Sequence, residues 1–300
     1  MTLARQHHIQ VVAHRGASED APEHTLAAYK KAVEDGADAL ECDVRLTADG
    51  HLVCVHDRRV NRTSNGRGAV SALELADLAA LDFGSWKRNH DEALEGEGPD
   101  WEGPAWEGPA WEGTGLEGSA LAGGPAEDTS VLTLERLLEL VADSNASGRR
   151  VRLAIETKHP TRWAGQVEER LLLLLKRFGL DAPPSAERSP VRVMSFSARS
   201  LHRVRAASPT LPTVYLMQFV SPRHRDGRLP DGVRIAGPSL RILRGHPGYV
   251  AKLKRAGHQV HVWTVNEPAD VELCAELGVD AIITNRPRQV LTQLDGLGLR

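Results

Sequence analysis

Three short stretches of this 300-residue chain, with one histidine between them, carry side chains suited to chemistry at a phosphorus centre. His14-Arg15-Gly16 follows directly on the apolar run Ile9–Ala13. Glu41 and Asp43 stand two apart on a strand and project from one face, while Leu40, Cys42 and Val44 project from the other. Glu156 and Lys158 repeat that spacing after the apolar Leu153-Ala154-Ile155, and His56 ends the run Leu52–Val55. Burying two adjacent carboxylates is costly unless a cation joins them, and an all-oxygen ligand set favours one hard divalent ion, Mg²⁺ or Ca²⁺. Glu156 is the expected third ligand. Lys158 would hold a phosphate oxygen or balance the carboxylates, with a plain ion pair to Glu156 as the alternative.

His14 and His56 form the expected acid–base pair. A neutral imidazole takes a proton from an attacking hydroxyl, and an imidazolium gives one to a departing oxygen. Arg15 offers a planar fork to phosphate oxygens, and Gly16 lets the backbone turn sharply. Trp263 is either an apolar wall of the pocket or a core residue. His159 stands beside Pro160 in a loop and is not expected to take part. Cys42, Cys54 and Cys274 show no metal spacing and read as small buried hydrophobes.

The elements that must position these groups alternate. Strands are expected at Ile9–Ala13, Ala39–Arg45, Val151–Glu156, Val191–Ser195, Thr213–Met217, Val233–Ala236, Gln259–Val265 and Ala281–Thr284. Helical patterns fall near Thr25–Glu34 and over Thr133–Ala142, Trp163–Phe178, Ala198–Ala206, Pro247–Ala256 and Pro268–Leu277. Eight such units point to a (β/α)₈ TIM barrel, with a doubly wound open sheet as the alternative. Leu52–Val55 follows the turn Thr47-Ala48-Asp49-Gly50 too closely to be a parallel strand, so it forms an antiparallel hairpin with the second strand. Pairing Leu46 with His51 would set His56 opposite Glu41.

Residues 91–128 hold eleven Asp or Glu and no Lys or Arg; removing them from a net charge of −3 leaves +8 on the remainder. A basic body suits an anionic small-molecule substrate. Scattered basic residues without an aromatic-rich surface argue against nucleic acid. The longest apolar run, Leu171–Leu175, is too short to span a bilayer, and no signal segment is evident, so a cytoplasmic protein without stable membrane insertion is expected. From Asp100 the chain repeats Trp-Glu-Gly-Pro-Ala in degenerate form, with Trp101, Trp106 and Trp111. Residues 90–128 read as a flexible insertion, with a Trp-mediated protein partner as an unsupported alternative.

Together these pieces resemble the glycerophosphodiester phosphodiesterase family. The likeness runs through His14-Arg15-Gly16, Pro22-Glu23-His24-Thr25-Leu26, Glu41-Cys42-Asp43-Val44, Asp49-Gly50 and His56-Asp57. It resumes with Thr133-Leu134-Glu135, Glu156-Thr157-Lys158, Ser195-Phe196, Trp263-Thr264-Val265-Asn266 and Thr284-Asn285-Arg286-Pro287. It implies a single barrel domain over residues 1–300 with an inserted subdomain at 46–130. The implied activity is metal-dependent hydrolysis of glycerophosphodiesters to sn-glycerol 3-phosphate and an alcohol. Glu41, Asp43 and Glu156 match the family's metal ligands, His14 and His56 its acid–base pair, and Arg15 and Lys158 its phosphate contacts. The chain departs from the pattern at His24, where Asn is usual, at Thr157, where an aliphatic residue is commoner, and at Asn285, where Asp is usual. The rival readings are a lysophospholipase D-like or other lipid phosphodiesterase on the same barrel, and a non-catalytic phosphate-binding scaffold.

Overall fold

Side-chain alternation along the strands explains the architecture. The computed structural model describes residues 8–87, 127–159 and 165–300. The pentapeptide repeat and the expected helix start at Trp163 lie outside them. Eight parallel strands close into a barrel: β1 (Gln10–His14), β2 (Ala39–Leu46), β4 (Arg152–Thr157), β5 (Val191–Ser195), β6 (Thr213–Met217), β7 (Ile235–Pro238), β8 (Gln259–Val262) and β9 (Ala281–Thr284). They run in the order β1-β9-β8-β7-β6-β5-β4-β2, and β1 pairs with β2 to complete the ring. A short β3 (Leu52–Cys54) adds antiparallel to β2. The TIM-barrel expectation is borne out, and the open-sheet alternative falls with the closure.

Val12, Ala39, Ala154, Met194, Val214 and Ile283 fill the barrel lumen. The outward Leu40, Cys42, Val44, Leu153 and Ile155 pack against α1 (Leu26–Glu34), α3 (Leu134–Ala146) and α4 (Gln166–Arg177). On the other half, Val11, Val260, Val262 and Ile282 pack against α7 (Gly248–Arg255), α8 (Pro268–Glu276) and α9 (Pro287–Gly296). Helix α5 (Ala198–Ala207) and the short α6 (Leu240–Gly245) complete the layer, and no described helix is long and apolar enough to cross a membrane. All three cysteines are buried and free, as expected.

Two barrel strands differ from expectation by more than one residue at a limit, the others by one residue or none. The seventh barrel strand stops at Val262 instead of Val265, and Trp263 beyond it makes only a single bridge with Ser239. The strand expected over Val233–Ala236 starts at Ile235, because the Val233 amide is turned back to the Pro230 carbonyl. The hairpin register also differs. Leu46 pairs with Leu52, and the Thr47 amide bonds to the His51 carbonyl. Thr47 Oγ1 donates to Asp49 Oδ1 at 2.6 Å, and Gly50 sits at φ +85°, which closes the loop in three residues instead of four. Val55 therefore bonds to the Asp43 carbonyl, and His56 comes one position beyond, level with Cys42 and not with Glu41.

After β3 a satellite core gathers Val53, Val55, Val60, Val70, Leu78 and Phe83 around Val131 and helix α2 (Leu75–Ala79). The Phe83 amide donates to the Thr129 carbonyl at 3.0 Å, which ties the two sides of the undescribed segment together.

The loop from β1 to α1 is the most constrained connection. Arg15 and His24 are the only non-glycine residues with positive φ among those described, at 58° and 60°, and the His24 amide bonds to the Arg15 carbonyl. Thr25 then caps α1 by accepting from the Ala28 amide at 3.2 Å. Gly16, at φ +86°, lies so close to α1 that a Cβ would stand 2.6–2.8 Å from Ala28. Gly16→Ala should therefore cost about 2–3 kcal/mol of stability, seen as a lower denaturant midpoint at unchanged slope. An unchanged midpoint would show that this close approach does not constrain the loop.

Candidate active site

The pleat of β2 turns Glu41 and Asp43 to the inside of the barrel at its C-terminal end, and β4 brings Glu156 beside them, with Asp43 and Glu156 in register. All three carboxylates are buried, and one oxygen of each lies within 4.8 Å of the others. Three such groups cannot all ionise together in a dry site without help. Burial, then Asp43 and Glu156, pushes Glu41 well above the usual carboxylate range against the pull of Arg15 and Lys158. Burial, then Asp43, raises Glu156 to about 8, with Lys158 opposing. Burial also acts to raise Asp43, but Lys158, His24 and Arg15 more than reverse it and hold Asp43 well below its ordinary value.

Two cations and a histidine reach these carboxylates, and burial lowers the pKa of that histidine, His24, against the pull of Asp43. Lys158 Nζ lies 2.9 Å from Asp43 Oδ1 and 2.8 Å from Glu156 Oε1. Arg15 Nε lies 3.1 Å from Asp43 Oδ2, its NH1 donates to Glu23 Oε1 at 3.0 Å, and its amide donates to Glu41 Oε2 at 3.1 Å. His24 Nε2 donates to Asp43 Oδ2 at 2.9 Å, and its Nδ1 lies 2.8 Å from the Tyr29 hydroxyl, which donates to the Glu41 carbonyl at 3.0 Å.

Each of the two strand-end histidines is held through Nδ1. His14 Nδ1 donates to Asn285 Oδ1 at 2.7 Å, which leaves Nε2 as the free acceptor, 4.0 Å from Glu41 Oε2. Asn285 is itself anchored, since its amide donates to Asn266 Oδ1 at 2.9 Å. Burial, then Arg15, lowers His14 to about 3, so the imidazole is neutral at pH 7. His56 Nδ1 bonds to Asp57 Oδ1 at 2.7 Å, and Arg62 clamps Asp57 Oδ2 at 2.7 Å and Glu23 with both terminal nitrogens. Arg45 donates to the His56 carbonyl from Nε and NH2 at 3.0 and 2.7 Å, which fixes where the chain leaves the hairpin. Burial is the main cause of the lowered His56 pKa, with Asp43 opposing and Arg15 and Lys158 assisting.

The structure thus brings together His14, Arg15, Glu41, Asp43, His56, Glu156 and Lys158. Trp263 stands over the lumen residues, donates from Nε1 to the Gly237 carbonyl at 2.7 Å and meets Phe196 edge-on at 5.4 Å. It packs on the lumen core, so the core reading of Trp263 has support in its contacts. Thr157 points away, to Ser200 Oγ at 2.8 Å, and His159 turns to Glu168 at 3.1 Å, both outside the cluster. Sequence reading missed the supporting set: Glu23, Tyr29, Arg45, Asp57 and Arg62. Of these, Glu23 and Asp57 lay within the motifs that carry the family resemblance, Arg45 shares the inward face of Glu41 and Asp43 on β2, and Tyr29 and Arg62 had no signal.

Residues 14–289 match the model of the family described as "Glycerophosphoryl diester phosphodiesterase family". A probable glycerophosphodiester phosphodiesterase 1 of Mycobacterium tuberculosis is 44% identical over 290 residues, covering 96% of this chain and 93% of the relative. A glycerophosphodiester phosphodiesterase of Bacillus subtilis is 32% identical over 284 residues, covering 93% and 84%. Among solved structures, an Oleispira antarctica phosphodiesterase in complex with sn-glycerol-3-phosphate superimposes with a TM-score of 0.71 at 23% identity, covering 95% of this chain and 96% of that one. At that identity the likeness speaks for the fold.

The raised Glu156 pKa has a definite sign in the metal-free protein. An unfolded Glu loses its proton near 4.5, whereas the folded one keeps it to about 8, so the folded state is increasingly penalised as pH rises between those values. In excess chelator, Glu156→Gln should raise the melting temperature at pH 8.5, and the gain should shrink toward pH 5. A gain independent of pH would show that the carboxyl does not titrate as described.

Proposed function

Because the chain belongs to the glycerophosphoryl diester phosphodiesterase family and is a phosphoric diester hydrolase, we propose that it splits glycerophosphodiesters into sn-glycerol 3-phosphate and an alcohol at the C-terminal mouth of the barrel. The observation that carries the reading is the buried triad Glu41, Asp43 and Glu156, flanked by His14 and His56 and by the cations Arg15 and Lys158. The donor set fits one hard divalent ion: it is all oxygen, and burial has forced two of its three carboxyls upward in pKa, which a dication would relieve. Mg²⁺ or Ca²⁺ held there would acidify the substrate 2-hydroxyl and offset charge gathering on phosphorus.

The protein's own groups take the following parts. Arg15 and Lys158 receive phosphate oxygens; Lys158, paired with Asp43 and Glu156, would be free to do so where those carboxylates held a dication. His14 Nε2, kept unprotonated by the Nδ1 bond to Asn285, takes the proton of the glycerol 2-hydroxyl. The hydroxyl oxygen attacks phosphorus as the bond to the departing alcohol breaks, and the fraction of His56 that enters the cycle protonated on Nε2, with Nδ1 on Asp57, gives that alcohol its proton. Water then opens the resulting cyclic phosphate with the histidine roles reversed. A nucleophile within the substrate replaces a second-order encounter. Residues 1–300 act as one barrel domain, with 46–130 as the inserted subdomain that carries His56 to the mouth.

A second reading concerns the leaving alcohol. Phe196 and Phe219 are large exposed apolar side chains just past the C-terminal ends of β5 and β6, and Phe196 meets Trp263 edge-on. An apolar flank at the mouth favours acceptance of a lysolipid alongside a small polar diester.

Excess chelator should abolish hydrolysis of glycerophosphocholine, with activity restored by Mg²⁺ or Ca²⁺; full turnover in chelator would remove the metal from the mechanism. His14→Ala and His56→Ala should each slow turnover by roughly 10²–10⁴-fold in the metal-loaded enzyme. A rate near that of the parent would exclude that histidine. Single-turnover quenching should trap a cyclic phosphate, and a panel of lysolipids assayed in parallel decides the leaving group.

A further inference from the structure

The barrel end opposite the acidic triad is closed only in part by apolar side chains, Ile235 and Ala281 among them. On β4 and β5, the inward positions that hold Ala154 and Met194 are preceded two residues earlier by Arg152 and Arg192. By the same alternation, β1 and β8 turn Gln10 and His261 inward. A barrel interior is ordinarily filled by bulky branched residues. Here its floor is polar and cationic.

Arg192 is buried, yet its guanidinium meets only neutral partners. NH1 lies 3.1 Å from His261 Nδ1, and NH2 donates to Gln10 Oε1 at 3.1 Å. Among the described residues neither Arg192 nor Arg152 has an ion-pair partner. The carboxylates nearby are engaged elsewhere. Asp280 Oδ2 binds Lys254 Nζ at 2.6 Å and the Val260 amide at 2.7 Å. Asp38 accepts from the Val11 amide at 2.8 Å and from Arg300 at 3.3 Å. Glu187 sits exposed at the rim. A cavity of about 280 Å³ opens onto Arg152, Arg192, His261 and Gln10.

A buried guanidinium whose direct contacts are all dipoles has lost its hydration, and only the more distant Asp38, itself bonded to the Val11 amide and Arg300, offers it opposite charge. Burial, then the like charge of Arg152, lowers Arg192 only to about 10, so it stays charged at neutral pH. Burial and Arg192 hold His261 well below its usual range, so it does not add to the positive charge there. We propose that the N-terminal mouth of the barrel is a second anion site, taking a phosphoryl-type oxyanion between the Arg192 and Arg152 forks. The two arginines come from neighbouring strands, and planar forks of this kind match tetrahedral oxyanions in charge and geometry. The site lies at the opposite end of the barrel from the carboxylates, so it does not depend on how they are read.

The test titrates inorganic phosphate into the full chain with ¹⁵N-labelled histidine, following the His261 ring resonance assigned through His261→Gln. A saturable shift is expected. Arg192→Met should weaken it about tenfold or more, as loss of a charge-assisted contact implies. Arg152→Gln, at an exposed position that leaves the floor packing intact, should weaken it several-fold. A parallel titration with sn-glycerol 3-phosphate separates the sources: tighter binding than phosphate assigns the site to organic phosphomonoesters, and equal or weaker binding assigns it to the free ion. No saturable shift with either probe, or the same affinity in parent and both variants, would overturn the proposal and leave Arg192 as a plug in the barrel floor.

Discussion

Three carboxylates share a volume from which water is largely excluded, and the surrounding structure can be understood as a response to that fact. A dry cluster of like charges is unstable unless opposite charge is delivered to it or protons are retained. Both responses are present. Lys158, Arg15 and His24 crowd onto Asp43, the one carboxylate held far below its normal range, while Glu41 and Glu156 are pushed above theirs. The result is poised: a dication entering the triad would displace protons and free Lys158 at the same moment.

Delivery of these groups to one place is the work of strand pleat and of two strained backbone positions. Side chains two apart on β2 and on either side of Thr157 come to the same face with no loop to adjust them. The loop after β1 does the opposite. Arg15 and His24 both adopt left-handed backbone, at a cost of about 1–2 kcal/mol each, and the bond between them folds the loop back so that both side chains reach Asp43. Strain of this size persists where the packing around it, here the approach of Gly16 to α1, leaves no alternative.

Pleat-driven features were the legible part of the sequence. The barrel, the triad and the two strand-end histidines follow from apolar runs that end in charged residues, because period-two alternation is local. The hairpin register was not legible: whether the turn after Leu46 closes in three or four residues depends on the Thr47–Asp49 bond and the conformation of Gly50. The supporting shell was less legible still. The partner of His14 lies 271 residues away, that of Asp43 at His24 19 away, and the grip of Arg45 on the His56 carbonyl spans 11. Such pairs obey no periodicity. His24 and Asn285 stood out only as departures from a family pattern, and the structure gives each a partner at the site. The floor of the barrel was missed for a related reason: Arg152 begins β4 and Arg192 is the second residue of β5, where a charge ordinarily marks solvent.

The tie between Phe83 and Thr129 bears on the Trp-Glu-Gly-Pro-Ala run. The chain leaves and re-enters the satellite core at neighbouring points, joined by a backbone hydrogen bond. Whatever lies between those points enters and leaves by a fixed gate. His56, Asp57 and Arg62 precede that gate in the chain, so a change in the number of five-residue units between Phe83 and Thr129 leaves the segment that carries them unaltered in sequence.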